Sequence, residues 1–148
     1  MKKPFQIFDE AKSEIEPFLQ WQNTSSPSTF SDYAQATSKA VEVFQYAAIF
    51  YPKFIRVEGF IVVAEHYSEA NWRASRERLD ARHTAQITNH VHLEDFLYGD
   101  CVEVLRLQEH LSEIIAFFWQ MAVDNQFPDD NVRVEYNGDV INIYQPLL

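Results

Sequence analysis

The sequence predicts an α+β fold in which two antiparallel β-hairpins form one four-stranded sheet packed against three or four helices. Three observations carry that expectation. Phe54 to Ala64 is β-branched and aromatic around Gly59, and Val132 to Tyr144 alternates about Asn137-Gly138. Between them, apolar residues recur at helical spacing from Leu107 to Ala122. A chain of 148 residues fits one domain, with 1–22 as an N-terminal helical arm.

Taken in order, Pro4 suits the opening turn of a first helix over 4–22, and Pro17 should kink or restart it. Asn23 to Thr29 is a polar loop, and Ser28 or Ser31 is expected to cap the next helix, which runs to Phe50. Pro52 stops that helix, and a hairpin turning at Glu58-Gly59 follows. Ser68 offers a cap to an Arg-rich surface helix through Arg82. Residues 84–98 read as a short helix and a turn closed by Gly99. Asp100 and Glu103 form a capping pair for the long helix to about Asn125, which Pro128 ends. Asn137-Gly138 suits the positive φ angles of a type I′ hairpin turn.

Composition excludes several functions. The three glycines (Gly59, Gly99 and Gly138) are too scattered for a Rossmann fingerprint or a P-loop. A net charge of −10 argues against nucleic acid, whose phosphates require Lys and Arg, and against an anionic membrane. That charge is uneven: residues 94–148 hold 11 acids against Arg106 and Arg133, whereas 1–93 are nearly balanced. Such a field can steer a basic partner, although acidic surfaces also serve solubility. One cysteine forms no internal disulfide, and the basic opening lacks the apolar core of a signal peptide, so a cytoplasmic protein is expected.

Three clusters could carry chemistry. His83, His90 and His92 lie within ten residues. On extended backbone His90, His92 and Glu94 would converge as a zinc or iron set, whereas on a helix His92 would face away. The His-x-His-x-Glu segment resembles the opening of the metallo-β-lactamase His-x-His-x-Asp-His signature. Here Glu94 replaces the Asp and no second His follows, so no family is assigned. The bland alternative is that His90 and His92 are satisfied locally. Cys101, in the first turn of the long helix, could form a Cys–His nucleophile, but Asp100 and Glu103 disfavour the thiolate and an inert thiol is the better reading. Finally, Trp72 and Arg76 stand at i, i+4, where guanidinium can stack on indole as an interface anchor; the alternative is a solvated helix laced by ion pairs.

The aromatics exceed what one stripe buries, and a core, a pocket or a homodimer face would each use them. The leading functional expectation is a non-enzymatic, acidic protein-binding module, inhibitor or immunity-like, that masks a basic partner and carries no cofactor. Its footprint is expected to include Glu103, Glu109, Glu113, Asp129, Asp130, Glu135 and Asp139, with Tyr136 and Tyr144 as anchors. The alternatives are a metal-dependent hydrolase using His90, His92 and Glu94, and a small-ligand binder with an apolar pocket between sheet and helices.

Overall fold

The computed structural model describes residues 2–24, 29–96 and 101–146, with side chains left out at 101–104. The expected features at Ser28, Gly99 and Asp100 lie outside the described residues. Helices α1 (Pro4–Lys12), α2 (Glu16–Thr24), α3 (Phe30–Thr37) and α4 (Ala40–Phe50) precede strands β1 (Phe54–Val57) and β2 (Phe60–Val63). Helices α5 (Glu69–Arg76) and α6 (Ala81–Thr88) lead to β3 (Val91–His92), then α7 (Cys101–Gln126), β4 (Arg133–Asn137) and β5 (Val140–Tyr144). The class is α+β, with seven α-helices among the described residues rather than three or four.

Local chemistry explains the extra breaks. Pro17 cannot extend α1, because its ring would meet the carbonyl four residues earlier, so the chain restarts as α2. Phe18 of α2 is buried against Phe30 of α3, with ring centroids 5.1 Å apart. Thr29, and not Ser31, caps α3: its hydroxyl accepts from the Asp32 amide, and its own amide donates to the Asp32 carboxylate at 2.9 Å. The expected single helix to Phe50 breaks at Ser38, whose backbone is extended, and the Glu42 carboxylate accepts from the Lys39 amide to open α4.

The hairpins form as expected but do not join. One sheet is β1–β2; the other has the order β3-β5-β4 and is antiparallel throughout. The separation of the two sheets has a definite cause. The outward amide of Val63 donates to Asn89 Oδ1 at 3.1 Å, and the Ile61 carbonyl accepts from Asn89 Nδ2 at 2.8 Å. Gln145 completes the edge, its Oε1 accepting from the Ile61 amide at 3.0 Å. Side-chain amides thus take the hydrogen bonds a neighbouring strand would make. Gln126 does the same for Phe54 on the edge of β1, and Gln120 for Val134 on the edge of β4.

The turns differ from one another. Glu58 and Gly59 both have positive φ, 46° and 88°, the type I′ pattern. In the second hairpin the two turn residues are Gly138 and Asp139, one position later than expected. Gly138 has φ 62° while Asp139 stays negative, as in type II′. Both sheets pack on α7 around one core containing Trp119, Ile115, Val123, Phe54, Ile61, Leu93 and Ile141. Trp119 Nε1 donates to the Ile49 carbonyl at 2.7 Å, which ties the end of α4 to this core.

Candidate functional site

The outer face of the three-stranded sheet brings His90 and His92 together. Val91 is buried, so His92, next to it in β3, points to the opposite side, and His90, the residue before the strand, stands beside it. Their ring centroids lie 5.0 Å apart, with planes at 76°. His92 Nδ1 donates to the Asp139 carboxylate at 2.9 Å, and His90 Nδ1 meets Asn142 Oδ1 at 2.9 Å. The Asp139 hydrogen bond raises the His92 pKa above the ordinary imidazole value, and the same contact lowers that of Asp139.

Glu94 does not join this pair. The strand ends at His92, and Leu93–Asp95 turns as a 3-10 helix whose Asp95 carboxylate accepts from the His92 amide. That turn carries Glu94 off the His90–His92 face. Among the described residues no group of three or more His, Cys, Asp or Glu side chains is placed to hold a metal ion. His83 sits on α6, where its Nδ1 meets Asp80 Oδ1 at 2.9 Å.

Between α6 and β5 lies an open groove of about 580 Å³, lined by His83, Gln86, His90, Glu135, Asn142 and Tyr144 over an apolar floor that includes Ile143. His90 also borders a second concavity, about 420 Å³, lined by His66, Ser68, Asn71, Ser75 and Asp95. His66 is half-buried and stacks on Phe96 at 6.2 Å. Burial pushes its pKa down, outweighing the attraction of Glu65 and Asp95.

The Arg-rich segment is organised by Glu58. Trp72 Nε1 donates to Glu58 Oε1 at 3.2 Å and Arg76 Nε to Oε2 at 2.9 Å, which steadies a non-glycine residue at positive φ. Trp72 is buried, 5% exposed, so it serves a small core with Val62 and Ala85 rather than an exposed anchor. Both donors are aimed at Glu58, which is where the expected indole–guanidinium pair is engaged. Arg73 pairs with Glu69, and Arg82 lies over the exposed Tyr144 ring at 5.8 Å.

The acids of the last third lie in separate places. Glu113 is buried, with Lys2 Nζ 3.9 Å away. Its charge and that of Glu109 combine with burial, the larger cause, to raise the pKa of the neighbouring Tyr136. Asp130 is held by Arg56 at 2.6 Å, and Asp139 by His92. Asp129 and Glu135 are exposed, Glu135 in the groove. The 26 residues of α7 span about 39 Å, which separates Glu103 at its start from Asp129 and Asp130 beyond its end. The side chains of Cys101 and Glu103 lie outside what the structure describes.

One surface was not singled out from the sequence. No residue of α4 is buried, and Val41, Val43, Phe44 and Tyr46 are 60, 62, 76 and 46% exposed. Beyond Lys39, α4 carries one charge, Glu42. The available signal was apolar residues on more than one face of that helix, wider than a single core stripe. Among the described residues no helix is long and apolar enough to cross a membrane. Comparison with protein-family models, curated proteins and solved structures finds no match to this chain.

Proposed function

We propose that the chain is a non-enzymatic protein-binding module, of inhibitor or immunity type, that docks the apolar surface of α4 on a basic partner. The observation that carries this is α4 itself, four large apolar side chains held in water on a helix fastened at its far end through Ile49 and Phe50. Holding Phe44 and its neighbours in solvent forgoes about 1.5–3 kcal/mol of burial per side chain, which a partner's apolar surface recovers. The net charge of −10 favours a basic partner over a second acidic copy. Glu109, Asp129 and Glu135, all exposed, add to the field that draws it in. A single cysteine suits the reducing cytoplasm.

The test is capture by wild type and by a Val43→Asp, Phe44→Asp variant at low and high salt. The expected result is one basic protein retained by wild type, lost with the variant and released by salt. Equal capture by both proteins contradicts the reading. So does a wild-type dimer in sedimentation that the variant splits, because the occupant of α4 is then a second copy.

A second reading, a small-ligand binder, is favoured by the groove between α6 and β5, whose apolar floor and polar rim are those of ligand pockets. A metabolite that raises the melting temperature of wild type but not of Asn142→Leu supports it; equal shifts in both proteins count against it.

A further inference from the structure

We propose that His90 and His92 form a two-histidine chelate for a late first-row divalent ion, copper or zinc, with Asp139 and Asn142 fixing the two rings. The site is independent of the docking surface on α4. His92 lies in β3 and His90 directly before it, on either side of buried Val91, and their contacts to Asn142 and Asp139 hold the two rings side by side. An ion bound at about 2.0–2.1 Å from two imidazole nitrogens in tetrahedral geometry places the ring centroids about 5 Å apart, and the observed separation is 5.0 Å.

The Nδ1 atoms decide which nitrogen is left for an ion. His92 donates Nδ1–H to the Asp139 carboxylate, and His90 donates Nδ1–H to the amide oxygen of Asn142, each at 2.9 Å. Both rings are thereby set in the tautomer that keeps a lone pair on Nε2. A ligating imidazole tied through its other nitrogen to a carboxylate or carbonyl is the usual support of a metal site. Asp139, Asp95 and Glu94 make the field at His92 negative, which favours a cation. Glu94 acts through that field and not as a ligand.

Two protein nitrogens leave the remaining coordination positions to water, beside the groove that His90 lines. Imidazole pairs follow the order Cu²⁺ above Zn²⁺, so both ions should occupy one site with copper the tighter.

The experiment is titration of Cu²⁺ into chelator-stripped full-length protein, followed by imidazole NMR and by electron paramagnetic resonance. At substoichiometric Cu²⁺ the resonances of His90 and His92 should broaden before those of His66, His83 and His110, with two nitrogens coupled to the copper. Zn²⁺ in large excess should displace the copper signal, and equimolar Zn²⁺ should leave most of it in place. Asp139→Ala should weaken the site about 10–100-fold while leaving two nitrogens in the spectrum, and His90→Ala with His92→Ala should abolish it. Broadening that begins at another histidine overturns the proposal, as does unchanged binding in the double variant. The NMR arm uses wild-type protein and decides the question even if a variant fails to fold.

Discussion

The side-chain amide of Asn89, 2% exposed, bridges the outer edge of β2, donating to the Ile61 carbonyl and accepting from the Val63 amide. With Gln145, it closes the edge where a strand of the second hairpin is expected to pair. Asn89→Ala strands two buried backbone groups, each costing about 1–3 kcal/mol, so a loss of roughly 2–5 kcal/mol is expected in urea unfolding. Asn89→Asp keeps an acceptor for Val63 but sets a carboxylate against the Ile61 carbonyl, and it should be no better than alanine. A loss below about 0.5 kcal/mol for both, the range of ordinary surface changes, would mean that water replaces the bridge.

The His66 ring should make stability depend on pH. Its folded pKa lies below the unfolded value of about 6.5 because burial disfavours the charged form. The folded state therefore binds fewer protons, and this contribution is present above the unfolded pKa and lost as pH falls through that value toward the folded one. His92 is raised and contributes with the opposite sign, stabilising at low pH and fading as pH rises through its folded value. The informative quantity is thus the difference between wild type and His66→Phe, which should grow more unfavourable to wild type as the solution is acidified below about pH 6.5. A difference independent of pH would show that His66 titrates normally.

Trp119 controls how firmly α4 is held. Trp119→Phe removes the hydrogen bond to the Ile49 carbonyl and part of the ring's packing on Phe54 and Phe96. A cost of about 1–3 kcal/mol follows. Limited proteolysis should then cut faster between 38 and 52 while β4 and β5 stay protected. Uniformly faster cleavage along the chain would mean that Trp119 supports the whole core and not α4 in particular.

Exposed α4 residues should behave unlike core residues in stability measurements. Phe44→Asp is expected to change unfolding free energy by no more than about 0.5 kcal/mol, because Phe44 is 76% exposed. A loss of several kcal/mol would place Phe44 in the monomer's own core and remove the docking surface.

The elements that could be read in advance are those whose cause is local. β-Branched residues about Gly59, alternation about Gly138 and a long apolar period placed both hairpins and α7. The separation of the sheets was hidden because Asn89 and Gln145 act 28 and 84 residues from Ile61, and amide side chains leave no periodic trace. Trp72 reads as an anchor until Glu58, 14 residues earlier, is seen to receive its indole N–H. The histidine pair was legible as His-x-His; that Glu94 would be turned away followed from a short 3-10 helix with no strong sequence mark. For α4 the ambiguity is physical, since an apolar helix looks the same whether its own chain or a partner covers it.

Hydrogen exchange of the captured complex tests the central claim most directly. With the basic partner bound, amide protection should rise in residues 40–50, and it should not rise in the segments 81–92 and 140–144 that border the groove. Protection confined to those groove segments, with α4 exchanging as in the free protein, would contradict the assignment of α4 as the docking surface.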